Sequence, residues 1–435
     1  MLGTLLLMSS APMRPMRRYW HMQYGWPAVS NRWSRDRWMK LWWNLHINTA
    51  PPPPDKHEQR LWEAQPFVDM INRKWSAALN AGRDLTIDET MIAYRGRHVA
   101  VQYMPKKPIT IGFKCFTIST LKGYCFTQKL YPGKHDNKKL AKGFTTQVVK
   151  DLIQPYANAT NDLNKYWRCV CFDSFYTNAP LVKWLYERGV LSVGTIRSNR
   201  LHVPPAFRET IVKPDTFIAR QSKYLRPLIA VCHVRGDKPS DKRMFMSTAT
   251  PIPIPITEQN VNGKSYQAPH VSEQYNRMMG GVDTSNQYAA QRSPWRQSRG
   301  RWWLAVFLHY FHVSVANAYM LYSIYGSPEL PTVRFGEFRE MLAEQLLDGF
   351  VARSKRGRPQ SQNTGHHEHV QTDDAMASGR RKRGRCHVCC KRKGSYDQQK
   401  QKGNVTGWKC KQCDVWVCRT TKNCWRTHMG QSAEE

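Results

Sequence analysis

The order of apolar patterns between residues 85 and 199 constrains the fold of this chain more than any other feature. From Leu85 to Leu130 the sequence forms several strand-like runs separated by turns with Gly, Pro and Lys, which predicts an antiparallel meander. The apolar run WRCVCF then precedes a helical pattern, NAPLVKWLYERG, and another apolar run, VLSVGTIRS. A meander followed by strand, helix and strand predicts a mixed α/β core.

Changes in composition divide the rest of the chain into segments around this core. A helical pattern in residues 32–48 ends before the Pro-rich linker TAPPPPDK, and a second helical pattern covers 64–81. The predicted segments are a helical region at 1–81, the first part of the core at 82–199, an inserted β-rich subdomain at 200–272, the completion of the core with a helical region at 273–352, a basic disordered linker at 353–384 and a Cys-rich domain at 385–429.

The charge of the chain favours a polyanionic partner. Lys and Arg number 66 against 32 Asp and Glu, which gives a formal net charge of +34. A basic protein that binds a membrane surface would carry this charge beside one amphipathic segment, whereas here the charge is spread along the chain. Nucleic acid is therefore the leading candidate for the partner.

Three further features predict an intracellular protein that does not span a membrane. The longest uncharged run, Trp302 to Pro328, is long enough for a membrane span, but it contains His309, His312 and Asn317, so we interpret it as a buried helix. Five of the 12 cysteines lie in apolar runs outside the C-terminal cluster, as core thiols do in a reducing compartment. The N-terminus has an apolar patch without a preceding basic region, which disfavours a targeting peptide.

Three Asp residues occupy positions from which their carboxylates can converge. Asp88 lies inside a strand-like run, Asp173 closes an apolar strand, and Asp283 follows a Gly pair at a predicted helix start. Two-metal phosphoryl transfer needs such oxygen ligands from separate segments, around ions about 3.5–4 Å apart. Asp173 also has a common alternative role in a strand-end turn, and Asp283 has one as a helix N-cap, so spacing alone leaves both interpretations open.

The C-terminal cysteine cluster predicts a zinc module. Two CxxC pairs separated by a gap supply four thiolates for a tetrahedral site, and the additional ligands suggest two Zn²⁺ ions. Disulfides are the alternative, which a reducing compartment disfavours. The sequence leaves the pairing open, and an eighth ligand is either His387 or Cys390. The predicted zinc ligands are Cys386, Cys389, Cys410, Cys413, Cys418, Cys424 and His428.

Two basic runs precede this module. The run KRGRP, with Arg356 and Arg358, resembles the core of an AT-hook, in which an extended Arg-Gly-Arg lies in an A·T-rich minor groove. A solvated linker is the alternative for this run. The run GRRKRGR at residues 379–385 is typical of a nuclear-import or phosphate-binding patch, so we expect a nuclear protein.

The acidic segments resemble the three acidic blocks of piggyBac-type transposases, in the same order. The matching stretches are LTIDETMIAYRGR followed by YMPKKPITIGFK, then CFDSFYTNAPLVKWLYERGVLSVGTIRSNR, and then YNRMMGGVDTSNQ. The resemblance implies an RNase H-like core whose catalytic triad, Asp88, Asp173 and Asp283, holds Mg²⁺ or Mn²⁺. It further implies an insertion before the third Asp, a split dimerisation and DNA-binding region, and a terminal Cys-rich domain.

The resemblance also implies partners and an activity. The segment RSPWRQSRGRWW would approach double-stranded DNA through Arg299, Arg301 and Trp302, and the protein would act as a homodimer. The family mechanism is metal-dependent strand cleavage at transposon ends, hairpin formation, and strand transfer by the freed 3′-OH into TTAA targets. The rival hypothesis is a host-retained DNA- or chromatin-binding protein that no longer transposes. A zinc-dependent protein-interaction module on an inert scaffold is a third hypothesis, which only the tail supports.

Two departures from the family pattern affect these expectations. Asn286 stands three residues after the third Asp, where the family often has another acid, so a weaker affinity for metal is expected. Family members usually carry a longer region before the block that resembles SRDRWMKLWWNLHI, so the first part of the DNA-binding domain is expected to be truncated.

Overall fold

A computed structural model of the chain contains two compact units, Met1–Phe350 and Val351–Glu435. The residues that the structure describes are 1–133, 143–157, 168–200, 203, 216–234, 242–261, 264–290, 300–326, 331–350, 369–371, 383–386, 405–411, 415–418 and 424.

Four helices precede the first strand of the first unit. The N-terminal helix packs against a later helix, Phe335–Leu347, and a Cβ atom on Gly3 would lie 2.8 Å from the carbonyl oxygen of Ala343 there, so this crossing requires glycine. The third helix begins at Ser34, whose hydroxyl accepts a hydrogen bond from the Arg37 N–H at 3.4 Å. These helices are α1 Leu2–Ser10, α2 Pro27–Ser30, α3 Arg35–Trp43 and α4 Gln65–Ala78.

The first unit is built on a large mixed sheet, which has nine strands among the described residues. The strand order is β2-β3-β1-β5-β6-β9-β8-β7, and β4 also pairs with β3. Strands β1, β2 and β4 all run antiparallel to β3, which confirms antiparallel pairing in this region, although β1 and β2 lie on opposite edges of β3. The four strands are β1 Asp84–Ala93, β2 Val101–Tyr103, β3 Ile111–Thr120 and β4 Cys125–Leu130.

Strand, helix and strand then follow, as the sequence predicts. Strand β5, Arg168–Phe172, runs parallel to β1, and strand β6, Val190–Thr195, runs parallel to β5. Helix α6, Ala179–Tyr186, connects them and begins at Asn178, whose side chain accepts a hydrogen bond from the Leu181 N–H at 2.9 Å. The chain therefore has the predicted mixed α/β core.

Most of the strands predicted as an inserted subdomain join the central sheet instead of forming a separate one. Strand β9 pairs antiparallel with β6, and β8 and β7 extend the sheet from there. The local pattern of a strand does not specify its partner, so the sequence could not show that the edge of β6 would be used. The strands are β7 Phe217–Gln221, β8 Ile229–Val234 and β9 Lys242–Ser247, while β10 Ile256–Val261 and β11 Lys264–Pro269 form a separate hairpin.

The remaining helices of the first unit are α5 Phe144–Ile153, α7 His270–Met278, α8 Gly281–Ala290, α9 Trp302–Tyr325 and α10 Phe335–Leu347. By length and composition α9 could cross a membrane. In this fold α9 contacts the sheet: the Asn317 side chain accepts a hydrogen bond from the Cys125 N–H at 2.8 Å and donates one to the Cys125 carbonyl at 2.7 Å. It also accepts a bond from α4, since the indole N–H of Trp75 donates to the Ser314 hydroxyl at 3.0 Å.

The second unit has short strands and a core made largely of cysteine. Its buried cluster contains Cys386, Val417, Cys418 and Cys424. The strands are β12 His369–Gln371, β13 Gly384–Arg385, β14 Val405–Thr406, β15 Trp408–Cys410 and β16 Val415–Trp416, with β12, β15 and β16 in one sheet and β13 paired with β14.

Candidate active site

The parallel pairing of β1 with β5 brings two of the predicted acids together. The last paired residues are Ile87 and Phe172, so the next residues along the two strands, Asp88 and Asp173, lie side by side where the pairing ends. After Phe172 the chain turns: Asp173 accepts a hydrogen bond on Oδ1 from the Phe175 N–H at 2.8 Å, which fixes its carboxylate at this sheet edge. The sequence prediction of an acid within a strand and an acid closing a strand is confirmed.

Helix α8 crosses the face of β1 that carries Asp88. Side chains alternate along a strand, so Thr86, Asp88 and Thr90 share one face. At the start of the helix a Cβ atom on Gly281 would lie 2.5 Å from Cγ2 of Thr86, and farther along, Asn286 accepts a hydrogen bond from the Thr90 hydroxyl at 2.8 Å. Asp283 lies in the first helical turn, between these two contacts, and therefore belongs to the segment that packs over Asp88.

The tightest acidic group in this region contains a residue that the sequence analysis did not select. Ligand oxygens of Asp88, Glu89 and Asp173 all lie within 4.8 Å of one another, and Asp283 is outside that group. Two oxygens on opposite sides of one Mg²⁺ are roughly 4 Å apart, since each Mg–O distance is about 2.1 Å. The three carboxylates therefore fit a divalent cation, with Glu89 as an additional candidate ligand.

Two lysines neutralise part of this acidic group. The ammonium group of Lys114 lies 3.0 Å from Oε1 of Glu89, and it is packed over the rings of Phe116 and Phe175. The ammonium group of Lys107 lies 3.6 Å from Oδ2 of Asp88 and 3.7 Å from Oε2 of Glu89. Burial disfavours the charged form of Lys107, but the charges of Asp88, Glu89, Asp283 and Asp173 together raise its pKa above the usual value. The charge of Asp283 therefore also acts on this site.

The crowding of carboxylates affects their protonation. Burial raises the pKa of Asp88 to about 7, with Lys107 opposing and Glu89 adding to the increase. Burial and the charge of Glu89 likewise raise the pKa of Asp173. Burial also disfavours the charged form of Glu89, but Lys114, a hydrogen bond with Asp88 and the charge of Lys107 together outweigh it and hold the pKa of Glu89 below its usual value. Such opposed pKa values among neighbouring acids are typical of functional sites.

A basic and aromatic surface lies beyond one end of β1. An open cleft of about 590 Å³ is lined by Arg95, Gly96, Arg97 and Ile111. The hydroxyl of Tyr94 donates a hydrogen bond to the Gly300 carbonyl at 2.8 Å, which ties this turn to the start of α9. The arginine-rich turn that follows β1 therefore lies near the segment predicted to approach DNA.

The predicted DNA-binding residues at the start of α9, Trp302 and the preceding Arg301, have different environments. The ring of Trp302 lies 4.6 Å from His98 and 5.6 Å from Phe113, between centroids. Phe113 pairs with Ile92, four residues along β1 from Asp88, which places this aromatic group roughly 13 Å along the strand from Asp88. Arg301 donates hydrogen bonds to the carbonyls of Trp42 at 2.8 Å and Leu45 at 3.2 Å, at the C-terminal end of α3. Arg299, Arg356 and Arg358 lie outside the described residues.

In the second unit, three of the predicted zinc ligands come together. The sulfur atoms of Cys386, Cys418 and Cys424 lie within 4.8 Å of one another and are buried, and the Cys418 N–H donates a hydrogen bond to Cys386 Sγ at 3.3 Å. Thiolates around Zn²⁺ have Zn–S distances of about 2.3 Å, so these three sulfurs fit such an ion. Cys410 is also buried but is not in this group. Cys389, Cys413 and His428 lie outside the described residues, as do His387 and Cys390.

The sequence contained partial signals for the residues that were missed. Glu89 directly follows Asp88 and is part of the same acidic stretch. Lys107 lies in the quoted block YMPKKPITIGFK, but no local pattern distinguishes it from the adjacent Lys106. The contacts of both residues depend on the pairing of β1 with β3 and on the turn before β3, which are tertiary features.

Comparisons with known proteins relate the chain to one family and one fold. A family model described as Transposase IS4 matches residues 1–319. The human PiggyBac transposable element-derived protein 3 and the human Chimeric ERCC6-PGBD3 protein are each 26% identical over 398 residues, which cover 89% of this chain but 62% and 35% of those proteins. The chain thus spans less than two-thirds of either relative. A cryo-EM structure of piggyBac transposase in a synaptic complex with hairpin DNA has the same fold, with a TM-score of 0.68 at 20% identity over 96% of this chain and 84% of that one.

Proposed function

The chain belongs to the family of piggyBac-type transposases, and from this premise we propose that it cleaves and rejoins DNA strands at transposon ends. One observation carries the proposal: the carboxylates of Asp88 and Asp173 meet at the end of the β1–β5 pairing, beneath the helix that bears Asp283. In this proposal the sheet is an RNase H-like core, and the three acids are its catalytic triad.

The acids act by holding divalent cations and by orienting the groups around them. When bound, Mg²⁺ or Mn²⁺ would activate the attacking oxygen and would neutralise the negative charge on the leaving oxygen. Asp88 and Asp173 would be the shared ligands, with Asp283 completing the site from α8. The Glu89 carboxylate, held by Lys114 at 3.0 Å, would be a further ligand or would position Asp88.

Binding of double-stranded DNA fits the charge and the surface of the protein. The net charge of +34 supplies many phosphate contacts, and the open cleft with Arg95 and Arg97 adjoins the segment that leads into α9. Trp302 presents an aromatic ring at this end of the sheet. The Arg301 guanidinium bonds to the end of α3, so we assign it the role of holding the two DNA-binding segments together.

The finer steps of the proposal follow the family. They are hydrolysis at each transposon end, attack by the freed 3′-OH, hairpin ends during excision, and insertion at TTAA. We further propose a nuclear homodimer whose Cys-rich module binds Zn²⁺ and recognises the ends.

The test is a strand-cleavage assay in Mg²⁺ on duplexes that carry the terminal repeats flanking the coding locus. Asp88→Asn, Asp173→Asn and Asp283→Asn should each reduce cleavage by about 100-fold or more, because each removes a charged oxygen ligand. Asp69→Asn, a change at an exposed acid of α4, is the matched control and should leave cleavage unchanged. Metal-dependent cleavage that survives all three substitutions at the triad would contradict the proposal.

A second candidate function is a retained DNA- or chromatin-binding protein without transposition activity. Asn286 favours it, because an acid at this position would add a negative charge near the metal ligands. This candidate predicts salt-sensitive DNA binding with no Mg²⁺-dependent cleavage, and no terminal repeats or TTAA sequences flanking the locus.

A further inference from the structure

The Lys107 ammonium group lies against the acidic group that fits a divalent cation. Its ammonium nitrogen lies 3.6 Å from Oδ2 of Asp88 and 3.7 Å from Oε2 of Glu89, and both carboxylates belong to the group whose ligand atoms lie within 4.8 Å of one another. A monovalent cation thus already contacts two of the three carboxylates.

The two lysines of the site are held differently. Lys114 makes a short contact of 3.0 Å with Glu89, its side chain is 11% exposed, and two aromatic rings cover it. Lys107 is 30% exposed and lies beyond the usual hydrogen-bond distance from both of its acidic partners. Lys114 is therefore a fixed part of the site, whereas the Lys107 side chain has room and weak enough contacts to move.

The backbone that carries Lys107 is anchored. Its turn is closed by hydrogen bonds from the Met104 N–H to the Thr110 carbonyl at 2.7 Å and from the Lys107 N–H to the Met104 carbonyl at 3.1 Å. Pro105 and Pro108 lie on either side and restrict the backbone further. Displacing the ammonium group therefore requires rotation of one side chain and no rearrangement of the turn.

Because both are positively charged, the Lys107 ammonium group and a divalent cation exclude each other from the acidic group. When they are ionised, Asp88, Glu89 and Asp173 repel one another unless a cation lies between them, and Lys114 neutralises Glu89 alone. A divalent cation on the same oxygens would repel an ammonium group a few ångströms away. We propose that Lys107 is a placeholder for the divalent cation: its ammonium group holds Asp88 and Glu89 together, and cation binding displaces it toward solvent. This inference rests on the proposed metal-dependent function.

The test is a Mn²⁺ titration of the full chain. The concentration of free Mn²⁺ is measured from its electron paramagnetic resonance signal. Only the Mn²⁺ binding that is lost in the Asp173→Asn variant is counted. Mn²⁺ bound by the Cys-rich module remains in that variant and is thereby excluded. Lys107→Met should tighten this affinity by about tenfold, because no ammonium group competes. The matched control Lys106→Met changes the neighbouring exposed lysine and should stay within about twofold of wild type.

A second measurement separates competition from general damage. Without Mn²⁺, the Lys107→Met variant should melt several degrees lower than wild type, because the carboxylates lose a neutralising charge, and Mn²⁺ should reverse the loss. Lys107→Gln, which keeps a hydrogen-bond donor, gives the same comparison if the Met variant does not fold. Unchanged or weaker Mn²⁺ affinity in the neutral variants would overturn the placeholder role alone. Absence of Asp173-dependent Mn²⁺ binding in every variant would overturn the proposed function as well.

Discussion

Asn286 on α8 accepts a 2.8 Å hydrogen bond from the hydroxyl of Thr90, which lies two residues beyond Asp88 on the same face of β1. The bond fixes the helix that carries Asp283 against the strand that carries Asp88. Asn286 therefore has a positioning role that an amide oxygen fulfils as well as a carboxylate does, whereas only a carboxylate would add charge to the site.

Replacing Asn286 with Asp should increase the affinity of the site for divalent cations. The Thr90 hydroxyl can donate to either side chain, so the helix should stay in place while the negative charge near Asp283 increases. We expect Asn286→Asp to tighten Asp173-dependent Mn²⁺ binding by about three- to tenfold, since ligand charge sets much of the affinity of such sites. Gln287→Glu adds the same charge at the next, exposed position and should have little effect. Equal effects of the two variants would show that the charge acts non-specifically.

The close packing of α8 on the sheet should depend on Gly281. A Cβ atom there would lie 2.3 Å from the Thr120 carbonyl oxygen and 2.5 Å from Cγ2 of Thr86, so the helix would have to move. Gly281→Ala should lower the free energy of unfolding by about 2 kcal/mol or more in urea titrations. The preceding glycine, Gly280, has nothing within 4 Å of a Cβ atom, so Gly280→Ala should be within about 0.5 kcal/mol of wild type. Similar losses for the two variants would contradict the packing described for α8.

Burial of His312 should make the protein less stable in mild acid. Burial, together with Arg339 and His309, lowers the pKa of His312 from 6.5 to about 3. Below pH 6.5 the unfolded chain takes up a proton at this residue and the folded chain does not, so stability is full above 6.5 and falls as the pH decreases toward 3. The contribution approaches about 1.4 kcal/mol per pH unit.

The measurement is the slope of the unfolding free energy against pH between 6.5 and 4.5. A loss of packing in a variant lowers the free energy equally at every pH and leaves this slope unchanged. His312→Gln should flatten the slope by up to one proton, whereas His21→Gln, at an exposed histidine, should leave it close to that of wild type. An unchanged slope in His312→Gln would mean that His312 takes up its proton in the folded state too.

Removal of one buried thiol in the C-terminal unit should lower the zinc content of the protein. In the purified full chain, Cys418→Ser or Cys424→Ser should reduce the zinc content by about one ion, because their sulfurs cluster with that of Cys386. Cys410→Ser should also cost one ion under the sequence prediction of two CxxC pairs. Cys232→Ser, at a buried thiol of β8 in the first unit, is the control and should keep the full zinc content. Full zinc content in the Cys418 and Cys424 variants would refute a zinc role for this cluster.

The outcome for individual residues shows what the sequence could predict and what it could not. The strand positions of Asp88 and Asp173 could be predicted because an acid inside or at the end of an apolar strand interrupts a clear local pattern. Residues 217–247 join the central sheet at the edge of β6, which no local pattern predicts, because the choice of strand partner is a tertiary feature. Lys107 and Glu89 contact each other only when the turn before β3 lies beside β1, so the sequence gives only partial signals for their roles.

The most direct test of the central claim is to locate the cation on the chain itself. With Fe²⁺ in place of Mg²⁺ and with ascorbate and peroxide, hydroxyl radicals cut the polypeptide close to the bound ion. The account predicts cuts in three separate segments at once, near Asp88, Asp173 and Asp283, which disappear in excess Mg²⁺ and in the Asp173→Asn variant while Asp69→Asn retains them. Cuts confined to one of these segments, or cuts that persist in Asp173→Asn, would contradict a metal centre shared by the three acids.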